Sequence, residues 1–330
     1  MSHQPVMLDE VVDAMGLASG KRIVDCTFGA GGYSRAFLQV PGVEVLALDR
    51  DPSVLPLAAE LTSASQGRFS FHHTAFSGLE AALVAKGWSQ VDGIVLDIGV
   101  SSMQIDQSAR GFSFMQDGPL DMRMSMRGVS AADVVNQMGM ADLIRIFRIY
   151  GEEKRAKRAA EAIVLIRAQA PIKTTGQLAG LIETALGGRR GRIHPATKVF
   201  QALRIFVNDE LGELARLLLA AERVLAPAGR LVVVTFHSLE DRLVKTFFRR
   251  RAEAPSQGSR FAPAGELAEF LPSFELIQRK VMAASDAEIT ANRRARSAKL
   301  RGAIRTSAPA FDLLPQLAQM PDLALLEASA

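Results

Sequence analysis

The chain has 330 residues, 48 % of them hydrophobic and 22 % charged, with a formal net charge of +4 at pH 7. That composition excludes a disordered or fibrous chain and leaves one large core or two modest ones. A single cysteine, Cys26, excludes an intramolecular disulfide and a multi-cysteine metal site, the five histidines lack paired ligand spacing, and no apolar run approaches the ~20 residues that span a bilayer.

The start of the chain is polar and has no apolar signal core. The expectation is a soluble protein of the reducing cytoplasm, with no metal and no membrane association. Apolar runs at 21–26, 43–48, 69–73 and 94–96 predict four strands, with Asp49 just past the second and Asp97 just past the fourth. A fifth, at 230–236, follows the turn Pro227-Ala228-Gly229. Strands alternating with helical patterns imply an α/β fold with a mostly parallel sheet covered on both faces.

About 130 residues separate Asp97 from Arg230, far more than a βαβ crossover needs. The intervening stretch reads mainly as helix, at 141–150, 152–168 and 175–186, and Thr174 to Gln177 provides an N-terminal cap for the last of these. A helix over 208–225 returns the chain to the sheet. Beyond Arg249 the pattern weakens into a loop at 255–263 and a closing pair of strands at 274–281 and 298–306. The domain reading is a core in two parts, 1–108 and 205–306, a helical insertion at 109–204, and a tail at 307–330 that is either loosely ordered or a docked helix. The size of the apolar insertion suits a homodimer.

The stretch from Asp97 to Met124 shows neither helical nor strand periodicity, yet it carries Phe112, Phe114, Leu120 and several methionines. Long aperiodic loops in a compact domain are usually functional or disordered, and this composition argues against disorder. An acid at a strand end followed by a shaped loop is what an α/β active site needs.

The first strand runs into Asp25-Cys26-Thr27-Phe28-Gly29-Ala30-Gly31-Gly32-Tyr33. Glycines let backbone approach a ligand closely, and a helix N-terminus behind them favours an anionic or polar group. Asp49, 18 residues beyond Gly31, can accept bonds from both ribose hydroxyls of a nucleoside cofactor. Two cofactors fit: a nicotinamide dinucleotide or S-adenosylmethionine. Gly29 and Gly31 match the dinucleotide pattern, but Ser34 stands at its third glycine. Asp25 disfavours a pyrophosphate and suits a cationic methionyl group, so the electrostatics favour S-adenosylmethionine. Strand-end capping is the rival role for Asp49 and Asp97, and Cys26 reads as a small buried residue.

Basic residues cluster at 154–158, 189–192, 249–251 and 293–301, and the sequence pI is near 9.4. Such clusters suit a phosphate-rich partner, with solvated helix faces as the alternative.

Motifs at 3–7, 25–32, 48–52, 97–104, 110–124, 150–153, 194–208, 236–242 and 294–301 are spread along nearly the whole of residues 3–306. On these the chain resembles the bacterial small-subunit ribosomal RNA cytosine-N4 methyltransferases, the RsmH or MraW family. The resemblance implies a class I S-adenosylmethionine-dependent methyltransferase core, Rossmann-like, with an inserted helical substrate-recognition domain. It implies cofactor contacts from Gly31, Gly32, Tyr33, Asp49, Phe76, Asp97 and Gln104, with Phe76 against the adenine. The substrate it implies is a decoding-centre cytidine of 16S rRNA in the assembled small subunit. The chain departs from the family pattern at Tyr33 (usually histidine) and at Met103 and Arg293 (usually proline), and its tail outruns the usual end.

The residues speak to mechanism independently. Methylation at cytosine carbon 5 needs a cysteine nucleophile, and Cys26 in the cofactor loop is poorly placed for it. Methylation of the exocyclic amine needs alignment, acceptors for the amine protons and exclusion of water. Amine methyltransferases often carry Asp/Asn-Pro-Pro-aromatic where this chain has Asp97-Ile98-Gly99-Val100, so the orienting role falls to Ser101, Ser102 and beyond. Asp97 is the first candidate acceptor. His237 is the second, unless it is bonded to Glu240 or Asp241 at a helix start. Phe112 and Phe114 stack an extruded base or pack the core, and His194, Lys198 and Arg204 touch phosphate or join the domains. Two alternatives remain: an NAD-dependent dehydrogenase, and a catalytically silent RNA-binding factor.

Overall fold

The computed structural model describes residues 5–189, 191, 193–253 and 270–311. The chain divides into two compact units, one made of residues up to Gly99 with those from Leu211 onward, the other of Val100–Glu210. The sequence reading had its boundaries at 109 and 204. The loop expected at 255–263 and residues 312–330 of the tail lie outside the described residues.

The first unit is built on one sheet. Its strands are β1 (Arg22–Asp25), β2 (Glu44–Asp49), β3 (Phe69–His73), β4 (Val91–Asp97), β5 (Leu225–Thr235), β6 (Phe274–Leu276), β7 (Met282–Ala283) and β8 (Lys299–Arg305). The spatial order is β3-β2-β1-β4-β5-β8-β6, with β7 also on β8. β1 to β5 pair in parallel, and β8 runs antiparallel to β5, β6 and β7. Residues 45–48 of β2 and 94–96 of β4 are enclosed in unbroken runs. Unbroken apolar burial is what a parallel sheet with helices on both faces requires. One face packs Leu79, Leu83, Leu214, Leu217, Val244 and Phe247 against Val24, Leu46, Leu96 and Val233.

From β1 the chain moves outward to β2 and β3, then returns to β4 on the other side of β1. The order therefore reverses between β1 and β4. A crevice outside the carboxyl ends of the strands at such a reversal is where open α/β sheets bind ligands.

Three local departures from the sequence reading have physical causes. The helix Leu8–Met15 starts on Met7 in a left-handed conformation (φ 52°) with no capping side chain, so no N-terminal signal marks it. Pro227-Ala228-Gly229 does not precede the fifth strand but bulges out within it. Val91 pairs with Leu225 and Gly93 with Arg230, and Ala228 takes φ 65°. The run at 274–281 pairs with β8 only over Phe274–Leu276; the edge resumes at Met282–Ala283, ahead of the unanticipated helix Asp286–Ala291.

In the second unit the helices are Ser102–Asp106, Ala131–Gln137, Met140–Ile149, Ala156–Arg167, Thr175–Ala185 and Thr197–Val207. The cap expected at Thr174 forms: its hydroxyl accepts from Gln177 N, and the Gln177 side chain returns the bond. The aperiodic stretch before Ala131 is held by side chains bonding to backbone. Arg110 donates to the carbonyls of Arg123 and Met124 at 3.0 and 2.9 Å. Asn208 donates to Met122 O at 2.7 Å and accepts from Met124 N at 2.8 Å. Asp117 accepts from Gly176 N at 2.7 Å.

The basic run at 249–251 is not a free charged face. Arg251 is fully enclosed, with its Nε donating to Glu222 Oε2 at 2.7 Å and its guanidinium 4.2 Å from the Phe247 ring centre. Ser273 donates to the other Glu222 oxygen at 2.6 Å. Removing one member of an enclosed ion pair strands the other's charge at a cost of roughly 3–5 kcal/mol. Glu222→Ala should therefore lower the urea midpoint sharply, and Glu222→Ala/Arg251→Met should recover most of the loss. A single variant with the wild-type midpoint would refute the role of the pair.

Candidate active site at the carboxyl ends of the parallel strands

Three acids end three adjacent strands: Asp25 on β1, Asp49 on β2 and Asp97 on β4. Asp25 pairs across with Ala47 and Val95, so Asp49 and Asp97 each lie two residues farther along and flank it.

Asp25 is fully enclosed. Its Oδ2 accepts from the Ser34 hydroxyl at 2.7 Å and its Oδ1 from Thr27 N at 3.1 Å. Burial first, and Asp49 further down, push its pKa up to about 6 against the pull of those bonds. Ser34, the residue that breaks the dinucleotide fingerprint, is thus the partner Asp25 needs. Thr27 continues the chain, its hydroxyl accepting from Asp97 N at 2.7 Å. Asp49 accepts from Gly29 N at 2.8 Å and Asp51 N at 2.9 Å, and burial raises its pKa.

Asp97 is different. Its Oδ1 is enclosed and has no hydrogen-bond partner. Burial, then the charges of Asp25, Glu240 and Glu288, push its pKa up to about 8. Each neighbour that shifts it is a carboxylate, so the crevice is a place for a cation.

Between these acids the loop turns at Gly31, where φ is 77° and a Cβ would lie 2.9 Å from the Phe28 ring. Cys26 is enclosed in the same loop, and burial pushes its thiol well above the usual range, which removes it as a nucleophile at neutral pH.

The other candidates are placed as follows. Tyr33 is enclosed, and its hydroxyl donates to the carbonyl of Val6. Phe76 opens a short 3-10 turn after β3, its ring half-buried against the core, and Ser77 beside it donates to Glu213 at 2.9 and 3.1 Å. Gln104 belongs to the second unit, where its Oε1 accepts from Ser101 N at 3.0 Å in a capping box. His237 takes the helix-start role: its Nδ1 accepts from Glu240 N at 3.4 Å, and Glu240 accepts from Phe236 N at 2.9 Å. Its Nε2 lies 2.9 Å from Glu240 Oε1 without an aligned hydrogen bond.

In the second unit Phe114 packs on His194 and Phe200, each 4.7 Å between ring centres, and Phe112 lies 5.7 Å from the Arg110 guanidinium. Lys198 donates to Glu152 O at 2.9 Å, and Arg204 forks onto Glu210 with two bonds of 2.7 Å. Thr27, Glu240 and Glu288 join the crevice without having been named as site residues in the sequence. Thr27 stands inside the quoted loop motif and Glu240 was named only as a capping partner of His237, while nothing local marks Glu288.

The reversal point, the glycine turn and the acid ending β2 suit a nucleoside. The neighbouring acids Asp25 and Asp97, with no basic side chain among the groups that shift either one, suit a cationic sulfonium with a free amine and oppose a pyrophosphate. The strand order, parallel from β3 to β5 with an antiparallel strand next to β5, is that of a class I S-adenosylmethionine-dependent methyltransferase. The profile of the MraW methylase family matches residues 1–306, and the chain belongs to that family. It is 57 % identical over 329 residues to the "Ribosomal RNA small subunit methyltransferase H" of Maricaulis maris, covering 99 % of this chain and 98 % of that one. It is 55 % identical to the protein of the same name from Sinorhizobium medicae and 56 % to that from Rhizobium etli, each covering 98 % of this chain and 93 % of the relative. S-adenosylmethionine is the methyl donor.

The raised pKa of Asp97 makes a stability prediction. The folded protein holds this proton more tightly than the unfolded chain, whose value is near 3.8. Ionised Asp97 therefore opposes folding increasingly as pH rises from about 4 to about 8. Asp97→Asn should gain stability over the ligand-free wild type along that range, most at pH 8. A gap in thermal midpoint that stays flat from pH 5 to pH 8 would contradict it.

Proposed function

We propose that this chain transfers the methyl group of S-adenosylmethionine to the exocyclic N4 amine of a decoding-centre cytidine in 16S rRNA, acting on the assembled small ribosomal subunit. The observation that carries the reading is the unpartnered Asp97 Oδ1 at the end of β4. An enclosed acceptor there is what an amine N–H needs. Burial and the neighbouring carboxylates keep this group protonated in the ligand-free chain, and a cation bound beside it favours the carboxylate that accepts an amine N–H.

S-adenosylmethionine supplies an electrophilic methyl group. Asp97 accepts from the amine and so directs the nitrogen lone pair, and its proton leaves to solvent after transfer. Carbon-5 chemistry is opposed by the enclosed, unionised Cys26. The relatives' shared name, which specifies ribosomal RNA of the small subunit, supports the substrate. Exposed Lys154, Arg158, Arg189 and Arg296 are the phosphate-facing charges of this reading. Lys299 and Arg301 are committed to Asp241, at 3.1 and 2.7 Å. A cytoplasmic setting follows from the substrate, and among the described residues no helix is long and apolar enough to cross a membrane.

The test is transfer of labelled methyl to small subunits from cells lacking this gene, followed by nucleoside analysis. N4-methylcytidine is expected, falling at least a hundredfold in Asp97→Ala, and a label in any other nucleoside would overturn the assignment. Binding to subunits should also weaken steeply with salt, and Lys154→Ala/Arg158→Ala should flatten that slope by roughly one to two units of log K per log salt.

A further inference from the structure

Residues 5–7 form a short strap fastened at two points around the acidic crevice. The Tyr33 hydroxyl donates to Val6 O. Met7 N donates to Glu288 Oε1 at 2.7 Å, from the helix Asp286–Ala291. The strap lies directly on the cofactor loop, since a Cβ on Gly32 would sit 2.1 Å from Pro5 Cγ. Met7 is fully enclosed in its left-handed conformation, so the strap is held rather than draped.

The Tyr33 ring is itself committed. It is 3 % exposed and stacks parallel to Phe37, with ring centres 6.2 Å apart. Its polar atom is spent on the strap. Glu288 and Tyr33 both lie close enough to Asp97 for their charges to interact with it. The two fasteners therefore stand at the rim of the same crevice, one in the first turn of the helix Gly32–Phe37 that follows the loop after β1 and one on a helix some 250 residues later.

We propose that Tyr33 and Glu288 are positioning residues for S-adenosylmethionine, acting through the 5–7 strap to hold the Gly31-Gly32 turn in its ligand-ready shape. This role rests on S-adenosylmethionine as the ligand of the crevice and not on the identity of the RNA. Tyr33→Phe keeps the packed ring and removes one hydrogen bond. Glu288→Ala releases the other end.

Equilibrium binding to the full chain tests the proposal without any methyl acceptor. Tyr33→Phe should weaken S-adenosylmethionine roughly three- to tenfold, the range a single hydrogen bond supports. It should weaken S-adenosylhomocysteine by the same factor, because a misplaced turn penalises both. Amide exchange at Val6 and Met7 should accelerate. The double variant should lose less than the product of the two single losses, since both release one strap. Unchanged affinity in Tyr33→Phe and in Glu288→Ala would overturn the proposal. So would fully multiplicative losses, or a loss confined to the charged ligand. If Tyr33→Phe does not fold, Glu288→Ala decides by comparison with Glu288→Gln, which removes the charge and keeps an acceptor for Met7 N: a loss for both ligands and faster exchange in Glu288→Ala beyond those in Glu288→Gln supports the strap, and equal behaviour of the two overturns it.

Discussion

Uncompensated negative charge at the ends of β1, β2 and β4 is the constraint on which the arrangement of the first unit depends. Parallel pairing brings the three strand ends to one edge, and the register sets Asp49 and Asp97 on either side of Asp25. Like charges at that separation in a partly enclosed crevice resist ionisation together. The chain answers differently at each. Asp25 is braced by Ser34 and Thr27, Asp49 is wrapped in backbone amides, and Asp97 is left with an open valence. The free energy withheld at Asp97 is available to any ligand that brings positive charge, so binding and relief of repulsion are one event.

That logic reaches into the loop after β1. Ser34 replaces the glycine of a dinucleotide fingerprint because Asp25 requires its hydroxyl, and the same acid that excludes a pyrophosphate recruits a residue that excludes its motif. The two negative signals in the sequence, an acid before the loop and a missing third glycine, are one physical fact seen twice.

Much of the sheet was legible because its strands are buried on both faces and so read as apolar runs ending on acids. What escaped lacks a local signature. The helix Leu8–Met15 has no capping side chain, and the bulge in β5 depends on how Val91 and Gly93 meet the partner strand, which only pairing reveals. The closing strands are held by β8 rather than by their own patterns. At the site, Asp49 and Asp97 were visible because strand ends are visible. Glu288 was not, and Glu240 was visible only as a helix-start partner of His237, because both arrive on helices from distant sequence and their nearness to Asp97 appears only in the fold. Arg251 shows the reverse error that charge runs invite: three arginines in a row read as a surface, and one of them is core.

The enclosed thiol of Cys26 has a practical corollary. It is the chain's one cysteine, and it sits inside the segment that turns around the crevice. A bulky alkylating reagent reaches it only when that segment opens, so the labelling rate reports the opening equilibrium there and nothing elsewhere. The protein thus carries a native clock for the breathing of its own ligand loop, with no engineered reporter and no competing sulfhydryl.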